Sequence, residues 1–230
     1  MTLVIAHRGA SARFPENTVD AFRGARGLGA DWVELDVRRT ADDALAVHHD
    51  ATLADGRALV ALRAADLPAA VPDLAAALDA CAGMGVNVEI KNFPVDVDFD
   101  PEARIVDAVL GVLAAGLPAG GVVVSCFHLP TLDRVRAARP DLDTAWLVAP
   151  SRDPLALVDQ AAAAGHPGIH PYAELVDAAY VARAHAAGLF VNAWTVDDPH
   201  RMAELVDLGV DGIVTNTPDV ARRVVDAAGA

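Results

Sequence analysis

Two periods alternate along the chain. Short runs rich in Val, Ile and Leu are separated by longer Ala- and Leu-rich stretches whose apolar residues recur every three to four positions. The first pattern is that of a strand and the second that of an amphipathic helix. Strands are expected at 3–7, 32–37, 86–91, 121–126, 144–148, 168–170, 189–194 and 212–215. Helices are expected near 17–29, 73–83, 101–115, 129–138, 154–164, 175–187, 199–208 and 217–228. The punctuation agrees: Asp73 precedes an Ala/Leu run, and Asp153-Pro154 and Asp198-Pro199 place a proline where a helix begins. Glycines such as Gly165 and Gly209 stand just past helix ends.

Eight strands alternating with eight helices in 230 residues predict an α/β fold, a (β/α)8 TIM barrel with residues 1–230 as a single domain. An open doubly wound sheet is the structural rival. It usually has fewer strands and a Gly-rich first turn, whereas here the first strand runs into His7-Arg8-Gly9 with no GxGxxG. Residues 38–72 break the alternation as a long connection, with an extra short strand expected within 44–49. Connections of that length inside compact domains are usually functional, so this one is expected at the active site.

Composition narrows the function classes. Hydrophobic residues make up 53% and charged residues 22%, enough to bury a core. Acidic residues outnumber basic ones 32 to 18, a formal charge of −14, which argues against nucleic acid and anionic lipid as partners. No apolar run approaches the ~18–20 residues of a membrane span, and no basic helix suits stable membrane association. The only apolar run before His7-Arg8 is Leu3 to Ala6, with no basic segment ahead of it, so no secretion signal is read and a cytoplasmic location is expected. Cys81 and Cys126 are too few and scattered for a disulfide scaffold.

In a barrel the chemistry sits at the C-terminal ends of the strands. There the sequence offers His7 and Arg8, Glu34 and Asp36, Glu89 and Lys91, then Ser125, His170, Asn192, Trp194, Thr215 and Asn216, with His48, His49 and Asp50 from the long connection. Strand parity puts Glu34 and Asp36 on one face, and likewise Glu89 and Lys91. On neighbouring strands the three carboxylates would converge. At ~4 Å and an effective dielectric of ~20, each like-charged pair costs about 4 kcal/mol. Either they hold protons, or they pair with Arg or Lys91 as core acids, or a cation sits among them. An all-oxygen set favours Mg2+ or Ca2+, with Mn2+ also admitted. His7 shares a face with Leu3 and Ile5 and would point inward; His48 and His49 point opposite ways, so one of them can reach the site, with Asp50 to orient it. Lys91 is the only lysine among eighteen basic residues, and it stands beside Glu89. A cation, two imidazoles and basic groups suited to an oxyanion suggest phosphoryl chemistry by acid–base and metal catalysis.

His7-Arg8-Gly9, Pro15-Glu16-Asn17-Thr18, Val33-Glu34-Leu35-Asp36-Val37, His49-Asp50, Glu89-Ile90-Lys91, Trp194-Thr195-Val196 and the tail from Gly209 to Asn216 follow one another in an order that resembles the glycerophosphodiester phosphodiesterase family. The resemblance runs from residue 3 to about residue 220. It implies a TIM barrel of lipid and glycerol metabolism that hydrolyses glycerophosphodiesters to sn-glycerol 3-phosphate and an alcohol with one divalent cation. By motif it implies Glu34, Asp36 and Glu89 as metal ligands, His7 and His49 as the acid–base pair, Arg8 and Lys91 on the phosphate, and Trp194 in the substrate pocket. Glu16 and Asn17 read as loop-organising residues. Ser125-Cys126-Phe127 interposes a Cys where the family has Ser-Phe, and Cys126 is expected to be structural. The insertion after the second strand looks short for the family, which implies a more open mouth. The acidic run Asp96, Asp98, Asp100 reads as a solvated loop, with a second cation site as the lesser reading. The alternatives are a related barrel phosphodiesterase acting on a lysolipid, which would need an exposed apolar rim, and a phosphate-ligand binder without turnover. Neither the preferred alcohol nor the oligomeric state is written in the sequence.

Overall fold

The computed structural model describes residues 1–229. Its strands are β1 (Leu3–His7), β2 (Trp32–Arg39), β3 (Leu45–Val47), β4 (Gly85–Ile90), β5 (Val122–Cys126), β6 (Asp143–Val148), β7 (Gly168–Pro171), β8 (Phe190–Ala193) and β9 (Gly212–Thr215). Between them run α1 (Val19–Gly27), α2 (Leu74–Ala80), α3 (Ile105–Ala114), α4 (Leu129–Ala138), α5 (Pro154–Ala164), α6 (Ala178–Ala186), α7 (Pro199–Leu208) and α8 (Pro218–Ala228). All strands but β3 are parallel, in the order β1-β9-β8-β7-β6-β5-β4-β2, and β1 pairs with β2 to close the barrel. The TIM barrel expected from the alternation is therefore the fold.

Local chemistry starts and stops the helices. Asp73 caps α2 by accepting from the Ala76 amide at 2.7 Å, and Asp153 caps α5 by accepting from the Ala156 amide at 3.1 Å, ahead of Pro154 in the first turn. Helix α5 ends at Gly165 with φ 76°, a left-handed conformation that a Cβ would disfavour. Helix α3 begins later than the periodicity suggests. Asp100 is buried and its carboxylate accepts the amides of Glu102 and Arg104, each at 3.1 Å, so the chain turns there before the helix can begin.

Alternation within strands divides the barrel into two environments. Val33, Leu35 and Val37 of β2 and Val86, Val88 and Ile90 of β4 are buried against the helices, each contributing about 1.5–3 kcal/mol. The opposite parity faces the lumen, and there polar residues replace the aliphatic ones. The register sets His7 beside Glu34, Glu34 beside Asn87, and Asp36 beside Glu89.

The long connection is structured. β3 pairs antiparallel with the end of β2, Val37 opposite Val47, and two 3-10 turns, Leu59–Ala61 and Ala64–Asp66, follow. Ala46, Leu53 and Leu59 form a small core of their own. This satellite core carries the segment from His48 to Asp50 to the barrel mouth, where the His48 amide donates to the Asp36 carbonyl at 3.0 Å. Among the described residues, no helix is long and apolar enough to cross a membrane.

Candidate active site

The mouth is organised by a turn after β1. Arg8 and Gly9 are left-handed, at φ 55° and 80°. A Cβ on Gly9 would lie 2.6 Å from the Ala21 carbonyl carbon, so only glycine fits. The turn brings the Arg8 amide to Glu34 Oε2 at 3.0 Å and the Arg8 Nε to 3.2 Å from Asp36 Oδ2. Glu16 holds the same guanidinium from the other side, at 2.9 and 3.0 Å. Asn17, also left-handed, donates from Nδ2 to Asp36 Oδ2 at 2.8 Å, and its Oδ1 accepts from the Asp36 amide at 3.3 Å.

Glu34, Asp36 and Glu89 converge as the parity argument requires. All three are buried, and each offers an oxygen within 4.8 Å of the others. Lys91 Nζ lies 2.7 Å from Glu89 Oε1 and 3.5 Å from Asp36 Oδ1. Arg8 and Lys91 set two positive charges against these three carboxylates, and Arg8 is shared with Glu16 as well, so negative charge is in excess. Burial and neighbouring charge act differently on the three acids. Burial, reinforced by Asp36 and Glu89, pushes the Glu34 carboxyl well above the usual carboxylate range. Burial also raises Glu89, against the pull of Lys91. At Asp36 burial is outweighed by Lys91 and Arg8, so this carboxyl lies below its ordinary value. Glu34 Oε1 and Asp36 Oδ1 are buried without a hydrogen-bond partner. Hard oxygen donors, two of them without a hydrogen-bond partner, in a cluster where negative charge is in excess, fit a divalent ion.

Two imidazoles border the same cavity as Glu34 and Glu89. His7 Nε2 is 4.0 Å from Glu34 Oε2, and its Nδ1 lies 2.8 Å from Asn216 Oδ1. His49 Nδ1 lies 2.7 Å from Asp50 Oδ1, and the His49 carbonyl accepts from Arg38 Nε at 2.7 Å. Burial is the main force lowering both, assisted at His7 by Arg8; the negative charge of Asp36 works against it in each. His48 turns away and donates to the Asp50 carbonyl at 2.9 Å.

Two adjoining cavities open from the cluster. The inner one, ≈ 150 Å³, is lined by His7, Arg8, Glu34, His49, Glu89 and Lys91, with Trp194 at its side and Asn87 and His170 at its floor. The outer one, ≈ 330 Å³, is lined by His49, Lys91, Phe93, Phe127 and Trp194. The Trp194 indole is fixed by donating to the His170 carbonyl at 2.8 Å and by edge contacts with Phe127 and Tyr172. The eight residues to which the resemblance gives roles all border these cavities or belong to the carboxylate cluster: His7, Arg8, Glu34, Asp36, His49, Glu89, Lys91 and Trp194.

The acidic run needs correction. Asp98 and Asp96 are neither a solvated loop nor a second cation site: Arg38 binds Asp98 through one guanidinium nitrogen at 2.7 and 2.8 Å and Asp96 through another at 2.9 Å. Asp100 is buried and bound to Arg104. Arg38 shares strand parity with Glu34 and Asp36, and that signal could have marked it as part of the mouth. The clamped loop leaves Phe93, Val95 and Val97 exposed at 42%, 80% and 68%, and Phe93 lines the outer cavity. Cys126 is a buried thiol pushed up to about 12 by burial, consistent with a structural role.

The profile of the Glycerophosphoryl diester phosphodiesterase family matches residues 7–220. A relative from Mycobacterium tuberculosis is 31% identical, over 99% of this chain and 92% of its own length. The glycerophosphodiester phosphodiesterase of Caldanaerobacter subterraneus subsp. tengcongensis is 30% identical, over 99% of each chain. Among solved structures, a phosphodiesterase of Oleispira antarctica in complex with the product sn-glycerol-3-phosphate superposes with a TM-score of 0.88 at 27% identity, covering 98% of this chain and 97% of that one.

Proposed function

Because the chain belongs to the glycerophosphoryl diester phosphodiesterase family, we propose that it hydrolyses glycerophosphodiesters to sn-glycerol 3-phosphate and an alcohol, with His7 and His49 as acid and base. The observation that carries this reading is the convergence of two imidazoles with Glu34 and Glu89 on one inner cavity, the buried Asp36 lying against both acids. Glu34, Asp36 and Glu89 would hold one divalent cation, Mg2+ or Ca2+ with Mn2+ also admitted, whose charge would polarise the phosphate and acidify the glycerol hydroxyl.

The placement of the two cavities supports a division of labour. His7 borders only the inner cavity, whereas His49 borders both. With the glycerol in the inner cavity and the alcohol in the outer one, His7 takes the proton from the glycerol hydroxyl next to the ester. That oxygen attacks phosphorus in line. His49 gives a proton to the departing alcohol oxygen as its bond to phosphorus breaks. The five-membered cyclic phosphate is opened by water: His49 removes the water proton, and His7 returns its proton to the glycerol oxygen. Arg8 and Lys91 face the same inner cavity and balance charge on the phosphate oxygens. Trp194 forms the wall between glycerol and alcohol.

A second reading is favoured by Phe93, Val95 and Val97. These exposed apolar side chains, on a loop whose Phe93 lines the outer cavity, are what a lysolipid chain would need, so a related lysophospholipase D-like activity belongs in the same test. Glycerophosphocholine, glycerophosphoethanolamine, glycerophosphoglycerol and a lysolipid are offered in turn, and glycerol 3-phosphate and its acylated counterpart are measured. The proposal expects free glycerol 3-phosphate, abolished by EDTA and restored by Mg2+ or Ca2+. The acylated product alone would move the assignment to the lysolipid. Binding without any product would leave a non-catalytic phosphate-ligand binder.

A further inference from the structure

A base can take a proton only at a ring nitrogen that carries a lone pair, and neutral imidazole carries it on one nitrogen or the other. The residues behind His7 decide which. Asp197 is the fixed point. Its carboxylate accepts from Thr215 Oγ1 at 2.9 Å and the Asn216 amide at 2.8 Å on one oxygen, and from Asn216 Nδ2 at 2.6 Å on the other. A carboxylate has nothing to donate, so the Asn216 side-chain NH2 must face Asp197 and its Oδ1 must face the other way. There Oδ1 accepts from Ser11 Oγ at 2.8 Å and meets His7 Nδ1 at 2.8 Å. An amide oxygen can only accept, so Nδ1 carries the ring proton. Nε2, on the cavity side, keeps the lone pair.

We propose that Asn216, itself oriented by Asp197, is a positioning residue that holds His7 in the Nδ1-protonated tautomer and so presents Nε2 to the substrate hydroxyl. The inference rests on the proposed role of His7 as a base, and it gives a role to Asn216, the last residue of the Gly209–Asn216 motif, to which the resemblance assigned none. Closure of the barrel makes it available: Asn216 follows β9, His7 ends β1, and the two strands are hydrogen-bonded neighbours although 209 positions separate the residues. Asn216 serves a neutral partner with a neutral acceptor. A carboxylate in its place would crowd Asp197, which explains why the acid stands one step further out.

The pair can be swapped. In Asn216→Leu no acceptor faces Nδ1, and kcat should fall on the order of 10–100-fold, the scale for losing an outer partner of a functional imidazole, with KM nearly unchanged. Asn216→Asp sets two carboxylates against each other, and Asp197→Asn lets the Asn216 amide turn over and donate to Nδ1; each alone should lower kcat. The double variant Asp197→Asn/Asn216→Asp restores one donor and one acceptor in mirrored order, and kcat should return to within about threefold of wild type, a strong non-additivity. In parallel, the 15N spectrum of histidine-labelled protein, with His7 assigned by its loss in His7→Gln, should show Nδ1 as the protonated nitrogen in wild type and in the double variant. Additive losses in the cycle, or a deprotonated His7 Nδ1 in wild type, would overturn the inference while leaving the hydrolysis proposal intact. If the wild-type protein hydrolyses no phosphodiester, the proposed function fails, and the spectrum still decides the tautomer.

Discussion

The two imidazoles of the mouth are held in opposite ways. His7 closes a barrel strand, its side chain is 19% exposed, and it leans on a neutral amide locked from behind. His49 sits on the added segment, its side chain is 34% exposed, and it leans on Asp50, a carboxylate that is itself 70% exposed. The scaffold supplies the first through closure between β1 and β9. The second arrives on a loop whose backbone is pinned by Arg38. A residue that must take a proton from a group deep in the site gains from rigidity and a fixed tautomer. A residue that must give a proton to an alcohol of variable size gains from an open setting and a charged partner that favours imidazolium.

The sharpest way to break this contrast is to remove each imidazole. His7→Ala and His49→Ala should each lower kcat on a natural glycerophosphodiester by ~10²–10⁴. They should part company on a substrate with a nitrophenolate leaving group, which departs without a proton. There His49→Ala should recover most of its activity and His7→Ala should not. Equal recovery in both variants would undo the division of labour, and activity near wild type in either would remove that residue from the chemistry.

A smaller effect probes the anchoring of the His49 side. Arg38 is buried and ties three things together: the His49 carbonyl, Asp98 and Asp96. Arg38→Leu strands Asp98, which is 4% exposed, without its cation. The expected cost is about 3–5 kcal/mol of stability, measured by urea unfolding, because a buried charge loses its partner. Arg38→Leu/Asp98→Leu should recover much of the loss in stability but not in kcat, since the His49 carbonyl would still lack its donor. Recovery of both would reduce Arg38 to a purely structural residue.

Period-two alternation explains why so much of this was legible beforehand. Glu34 with Asp36, and Glu89 with Lys91, fall on one face by counting alone, and the barrel follows from repetition of the strand–helix pattern. Arg38 lies on the same count, yet nothing local says that its partners are Asp96 and Asp98, some 60 positions on. A run of acids reads as solvated unless the arginine that neutralises it is known. The link between His7 and Asn216 is hidden for the same reason: it exists only once the last strand meets the first. Local period gives faces, whereas partners across the barrel depend on closure.

His170 supplies the reference state for the comparison. It lies in the floor of the inner cavity, buried and receiving the Asn192 Nδ2 hydrogen at 3.0 Å. Burial alone drives it down to about 3, since no carboxylate pulls the other way. His7 and His49 feel the same desolvation but have Asp36 working against it. The sign for stability follows. A histidine depressed in the folded state stays neutral there while the unfolded chain protonates at its ordinary value, so acidification between that value and about 3 favours unfolding. By pH 5 the loss should reach about 2 kcal/mol relative to pH 8. Urea unfolding of wild type and of His170→Gln at both pH values measures it: the variant is less stable at pH 8 but should lose about 2 kcal/mol less on acidification. An equal pH dependence in the two proteins would mean that His170 does not remain neutral in the fold, and burial could then no longer be taken as the common force acting on the three imidazoles.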